Sequence, residues 1–179
     1  MEHTLGYAAE MVPRNTPDLP FVFGELVRLE IELWDAVEAR LSADTDVTLA
    51  RYLAMRAIAR RPACRVQDIA EELAITVGGT SKVVDRVAAA GHCARRPNPD
   101  DKRSSLIQLT PAGEDALAKA ATAVEDELQR RLGSALPPGD LQDFAATLTR
   151  LRAAVQAAAS QAPAENQKTK SDSSPARGG

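Results

Sequence analysis

The chain has 179 residues, 44% of them hydrophobic and only 3% aromatic, which suits one compact domain of closely packed helices. No apolar run approaches the roughly 20 residues needed to cross a bilayer, and the N-terminus lacks the charged-then-apolar pattern of a secretory signal. A net charge of −3 is spread unevenly: residues 1–50 carry −7, residues 51–110 carry 11 basic against 6 acidic groups, and residues 111–179 carry −1.

A cytoplasmic protein is therefore expected. Its two cysteines, Cys64 and Cys93, match no metal-binding or redox spacing and are expected to be reduced thiols, with no metal and no cofactor. The basic middle segment matters more than the net charge, because screening limits each charge to about 8 Å at physiological salt. No Gly-rich phosphate loop, nucleophile elbow or metal-ligand spacing supports an enzyme.

Taken in chain order, residues 1–20 contain Pro13, Pro17 and Pro20 without sustained periodicity and read as a flexible arm. Phe21–Leu41 reads as a helix with Leu26, Leu29, Leu33 and Val37 as one stripe. Asp44, Thr45 or Asp46 is the candidate cap of a second helix, about Val47–Arg61, with Leu49, Leu53 and Ile58 on its apolar face and Pro62 ending it. Val66–Leu73 has the spacing of a short amphipathic helix, and Ala74-Ile75-Thr76 makes a tight turn. A further helix runs from Val77 to a stop at Gly91, with Val83, Val84, Val87 and Ala88 facing inward. Thr76 is its N-cap and Gly91 its left-handed C-terminal residue.

Two extended runs, Cys93–Arg96 and Ser104–Leu109, flank a tip of Pro97, Asn98, Pro99, Asp100, Asp101, Lys102 and Arg103. Turn residues between such runs make a β-hairpin, and Leu106 and Leu109 are expected in the core beneath it. Thr110-Pro111 starts another helix, because threonine caps and proline at the first position loses no hydrogen bond. It is expected to reach about Ala135, with Leu117, Ala121, Val124, Leu128 and Leu132 on one face. After Pro137-Pro138 a last helix, about Gly139–Ser160, carries Leu141, Phe144, Leu148, Leu151 and Val155 in a heptad-like seam. The polar tail from residue 162 to 179 is too hydrophilic to bury and reads as disordered. The chain is thus mainly α with a small β-wing, and helix, short turn, helix, hairpin is the layout of a winged helix-turn-helix.

Arg65–Leu73, Thr76–Arg86, Gly91 and the run Asp101-x-Arg103…Leu109-Thr110-Pro111-x-Gly113 together resemble the MarR family of bacterial transcriptional regulators. The resemblance spans roughly Leu19 to Gln161. It implies a MarR-type domain over 21–161, with the winged helix-turn-helix at about 47–110 and dimerisation helices at about 21–41 and 111–161. It also implies a short strand near Arg65 that completes the wing sheet. The implied partners are double-stranded DNA, at a palindromic site, and a second copy of the chain, whose two recognition helices lie one DNA turn apart, about 34 Å. A repressor released by a small aromatic or phenolic effector is the expected behaviour.

Thr76, Gly78, Gly79, Thr80, Ser81, Lys82 and Arg86 are the candidate DNA contacts of the recognition helix. Small and hydroxyl-bearing residues let a helix end approach base edges, and free backbone amides there bind phosphate. Gly78 and Gly79 each cost a helix about 1 kcal/mol relative to alanine, which implies close approach of backbone to a partner. At the wing the candidates are Arg95, Arg96, Asp101, Lys102 and Arg103. A guanidinium suits a narrow minor groove, so Arg103 is the main reader, and Asp101 could orient it or instead form a purely internal bridge to Arg103 or Arg86 that stabilises the hairpin. Phe23, Trp34, Tyr52 and Met55 are candidates for lining an effector pocket, although such residues at helical spacing are more often core. His92 replaces the apolar residue usual in the family and is expected to be a partly exposed edge residue. Two alternatives remain open: redox control through Cys93, with its pKa lowered by Arg95 and Arg96, and a winged helix used only for protein contact.

Overall fold

The computed structural model describes residues 18–161 except positions 102 and 103, and these fall into two units, one ending at Gln129 and one beginning at Arg130. The expected arm up to residue 17 and the tail from residue 162 lie outside the described residues.

Helix α1 spans Leu19–Asp44 and starts earlier than periodicity suggested. Pro20 opens the helix instead of ending an arm, since a proline at the second position lacks only an amide that has no intrahelical partner, and the Asp18 carbonyl accepts from the Val22 N–H at 2.9 Å. Thr45 closes α1: its hydroxyl donates to the Leu41 carbonyl at 2.8 Å and accepts from the Val47 N–H at 3.1 Å. The cap of α2 (Leu49–Ala59) is therefore not Asp44, Thr45 or Asp46 but Thr48, whose Oγ1 accepts from the Arg51 N–H. A carboxylate oxygen of Glu38 takes the Leu49 N–H at 2.6 Å and ties the two helices together.

Helix α3 (Val66–Leu73) begins with the Arg65 N–H donating to Asp68 Oδ2 at 2.7 Å. Ala74 ends it in the left-handed region, at φ 53°. Helix α4 (Val77–Ala89) is capped as expected, with Thr76 Oγ1 accepting from the Gly79 N–H at 3.1 Å, and Gly91 leaves it at φ 77°. Strands β1 (Cys93–Pro97) and β2 (Ser105–Leu109) pair antiparallel, Cys93 opposite Leu109 and Arg95 opposite Ile107. The Ile107 N–H also donates to the Cys64 carbonyl at 2.7 Å, so a single bridge just before α3 extends the sheet.

Ile107, not Leu106, is the hairpin's anchor in the core. Side chains alternate along a strand, and the face carrying Ile107 and Leu109 packs inward while Leu106 lies half-buried on the other. Ile107 belongs to one buried cluster with Leu41 of α1, Met55 and Ile58 of α2, Ile69 of α3, Val84 and Val87 of α4, and Val124 of α5 (Pro111–Leu128). Helix α1 packs along α5, and α2 packs against both α3 and α4. A helix pair and hairpin are thereby held on a helical base.

Helix α5 stops short of Ala135: Gln129–Gly133 forms a five-residue π-helical turn. In the second unit α6 runs Pro138–Gln161, with Leu141 and Phe144 half-buried and Leu148, Leu151 and Val155 exposed. Among the described residues no helix is long and apolar enough to cross a membrane.

Candidate nucleic-acid interface

Helix α4 buries Thr80, Val84 and Val87 and turns the opposite face outward. That outer face carries Gly78, Lys82 and Arg86, the last two spaced one helical turn apart, with Ser81 half-buried at its edge. Thr80 is not available for contact. It is fully buried, and its hydroxyl donates to the Thr76 carbonyl at 3.0 Å, because it lies one turn before Val84 on the inward stripe.

The two glycines serve different ends. A Cβ on Gly79 would meet Thr76 Oγ1 at 3.2 Å, so its small size is explained by the capping bond inside the helix. A Cβ on Gly78 would meet nothing within 4 Å. Nothing in the protein's own packing calls for a glycine at Gly78, and the open space in front of it suits approach to an external surface.

Strand register sorts the wing cations. Arg95 shares a face with Cys93 and Ile107, and that face looks toward α4. Its guanidinium accordingly meets Asp85 of α4 at 2.8 Å instead of projecting into solvent as a free phosphate ligand. Arg96 points to the opposite face and is exposed. The basic middle segment is also thinned by other pairs: Arg60 with Glu72 at 3.0 Å, Arg61 with Asp68 at 3.2 Å and Arg65 with Asp68 at 3.6 Å. Lys82, Arg86 and Arg96, like Arg51 and Arg56 of α2, make no ion pair among the described residues. Lys102 and Arg103 lie outside the described residues. The tip beside them is organised by Asn98, which is buried, donates to Ser104 Oγ at 2.8 Å and accepts from the Asp100 N–H at 3.0 Å. Asp101 is exposed, and its carbonyl accepts from the Ser104 N–H at 3.0 Å.

The hinge between α4 and the wing is stitched to α5. The Thr110 hydroxyl donates to the Gly91 carbonyl at 2.6 Å and its N–H to the His92 carbonyl at 3.1 Å. His92 is buried, contrary to expectation, and its Nδ1 lies 3.3 Å from Arg51 Nη2; a guanidinium only donates, so Nδ1 accepts. No group of three or more His, Cys, Asp or Glu among the described residues is placed to hold a metal ion. Cys93 is buried as well, and burial pushes its thiol up from the ordinary value, outweighing the lowering by Arg95. That is the opposite of the activated thiolate a redox switch needs. Burial likewise raises Cys64, to about 11.

The four proposed pocket residues do not meet. Tyr52 and Met55 belong to the core, whereas Phe23 and Trp34 are exposed on α1. An open concavity of about 690 Å³ is lined by Asp44–Val47, His92 and the start of α5, and another of about 590 Å³ by α2, β2 and α5; neither includes those four.

A sequence model of the MarR family matches residues 45–104, the stretch from the α1–α2 loop to the end of the wing tip. The transcriptional regulator HosA of Escherichia coli O111:H- is 32% identical over 90 residues, covering 49% of this chain and 67% of that protein. The chain belongs to the MarR family. The multiple antibiotic resistance protein MarR of Escherichia coli K12 is 24% identical over 109 residues, 61% of this chain and 76% of its own length. In fold the chain is similar to a MarR-family transcriptional regulator from Streptomyces coelicolor crystallised in complex with DNA, with a TM-score of 0.70 and 23% identity over 84% of this chain and 96% of that one. The family is one of transcriptional regulators, not enzymes.

Several residues of this MarR-family chain escaped the sequence reading. Asp85 pairs with Arg95 across ten positions, a contact visible only once the register is known. Gly113, the last residue of the Leu109–Gly113 motif, has a structural reason: a Cβ there would lie 2.7 Å from the His92 carbonyl carbon and closer still to its oxygen. Ile75 and Val77 are 44% and 53% exposed at the leading end of α4, where a core role would have been the default for such residues.

Proposed function

We propose that the chain is a homodimeric, sequence-specific regulator that binds double-stranded DNA at a palindromic site in the cytoplasm and acts as a repressor released by a small ligand. The observation that carries the reading is the outer face of α4, where Gly78, Lys82 and Arg86 are exposed, the two cations without an ion-pair partner among the described residues, beside a hairpin bearing Arg96. A polyanion is the partner that such a face fits, and a helix of this width enters the major groove while the hairpin reaches the neighbouring backbone. Lys102 and Arg103 at the wing tip add to the same charge, with Arg103 the minor-groove reader.

Dimerisation through the terminal helices is part of the proposal. Leu19, Phe21, Phe23, Val27, Ile31 and Trp34 are exposed along α1, more apolar surface than one helix of a monomer usually leaves in water. Phe23 and Trp34 are kept as effector contacts at that shared surface; Tyr52 and Met55 are not. A solved relative of the same fold, Bordetella bronchiseptica BpsR (23% identical, TM-score 0.67), has its DNA binding regulated by 6-hydroxynicotinic acid, which supports an aromatic effector class.

Selection of bound duplexes from a random library, followed by salt titration, tests the reading. The expected result is an inverted repeat with half-sites one turn apart and affinity that falls steeply with salt. Arg103→Ala should weaken binding to that duplex by about 1–3 kcal/mol. A protein that retains no duplex in dilute salt overturns the function, and an activated reporter in its presence overturns repression.

A further inference from the structure

We infer, resting on the DNA-binding function proposed above, that Ile75 and Val77 determine specificity by touching thymine C5-methyl groups in the major groove. Both are β-branched apolar residues at the tip of the recognition helix, and both are about half exposed. The threonine hydroxyls at this tip are drawn into the helix itself, and Ser81 sits half-buried at the edge of the outer face. Thr76 Oγ1 accepts from the Gly79 N–H at 3.1 Å, and the buried Thr80 hydroxyl donates to the Thr76 carbonyl. Ile75 and Val77 are thus exposed apolar groups on either side of a threonine whose hydroxyl oxygen already serves as the helix cap.

Their surroundings name the occupant. Gly78, directly after Val77, has open space where a side chain would stand, so the helix tip can descend closely onto a surface. Lys82 and Arg86 follow on the exposed face, and neither has an ion-pair partner among the described residues. Two small apolar groups bordered by unpaired cations make a poor seat for a protein partner, which would bring a larger apolar core. They fit a polyanion that presents isolated apolar groups. In the major groove of DNA the only such group is the thymine methyl, and the cations lie where flanking phosphates or guanine edges would be met.

Thymine-to-uracil exchange isolates this contact, because deoxyuridine keeps the pairing edge and the O4 acceptor and loses only the methyl. Each thymine of the duplex enriched from the random library is replaced singly, and binding is measured for the wild type, Val77→Ala and Ile75→Ala. Alanine favours helix at position 77, so the tip stays folded. The expected result is about a fourfold loss for the wild type at one or two thymines per half-site, the factor for one methyl-sized group returned to water. At its own thymine each variant should bind the two duplexes within about twofold, while remaining sensitive at the other. The inference is overturned if no thymine is sensitive in the wild type, or if both variants lose as much as the wild type at every position. If the wild type retains no duplex in the selection, the DNA-binding function itself falls, and this result is distinct from a bound duplex that is indifferent to uracil.

Discussion

Gly113→Ala should destabilise the protein, against the ordinary trend that alanine strengthens a helix. A Cβ at Gly113 would come within 2.7 Å of the His92 carbonyl carbon, where carbon atoms normally keep about 3.5–4.0 Å, so α5 or the Gly91-His92 turn has to shift by roughly 1 Å. That shift strains two bonds joining the same segments, Thr110 Oγ1 to the Gly91 carbonyl at 2.6 Å and Thr110 N–H to the His92 carbonyl at 3.1 Å. Losing them costs about 1 kcal/mol each, residual overpacking adds about 1–2 kcal/mol, and helix propensity returns at most about 1 kcal/mol. The net expectation is a loss of about 2–3 kcal/mol. Urea unfolding at a fixed protein concentration, followed by circular dichroism, should show the midpoint lowered by about 1 M with little change in slope. Gly78→Ala is the matched control: with nothing within 4 Å of the new Cβ, the fold should gain up to about 1 kcal/mol while DNA affinity falls. A Gly113→Ala protein that unfolds at or above the wild-type midpoint would refute the close-approach reasoning.

Asp85→Ala should leave stability nearly unchanged, since an exposed ion pair contributes under about 1 kcal/mol, but it releases Arg95 from its 2.8 Å partner. Arg95 can then reach phosphate, and the slope of log affinity against log salt should steepen by about 1 in binding titrations; an unaltered slope sinks the idea. The Cys64 thiol, raised by burial from 9.0 to about 11, keeps its proton in the folded state over a pH range where the unfolded chain loses it. Stability should therefore fall as pH rises above 9, by about 1 kcal/mol by pH 10. Urea midpoints of Cys64→Ala should decline less over the same interval, and parallel declines would contradict the assignment. Leu148→Asp places a charge among the apolar positions of α6 and should shift sedimentation from dimer to monomer; a mutant that still sediments as a dimer rules that seam out of the interface.

Local chemistry was the legible part of this chain. Thr76, Gly91 and Thr110-Pro111 announce helix ends because a cap acts within three or four residues, and the structure uses each of them as expected. The α1–α2 junction is less legible, because Thr45 and Thr48 lie three residues apart and the structure uses the first to close α1 and the second to cap α2. The inward position of Thr80 follows from its place one turn before Val84, although a threonine in a recognition helix suggests an outward role. Strand parity likewise places Arg95 on one face with Cys93, and Ile107 with Leu109.

What periodicity cannot supply is the surface at an element's end. Val77 is one position past the cap, where the helix has no preceding turn to shelter it, so its exposure follows from where α4 begins and not from which face it occupies. Ile75 lies in a turn fixed by the left-handed Ala74, and no stripe predicts its direction. The wing and the helix tip thus differ in kind. Arg96 is placed by strand alternation and can be read from sequence once the hairpin is recognised, whereas the tip depends on the joint geometry of Ala74, Thr76 and Gly78. If the proposed methyl contacts hold, substitutions at positions 75 and 77 should change the preferred bases with little effect on the core, because neither side chain belongs to the buried cluster that includes Val84 and Val87 of α4.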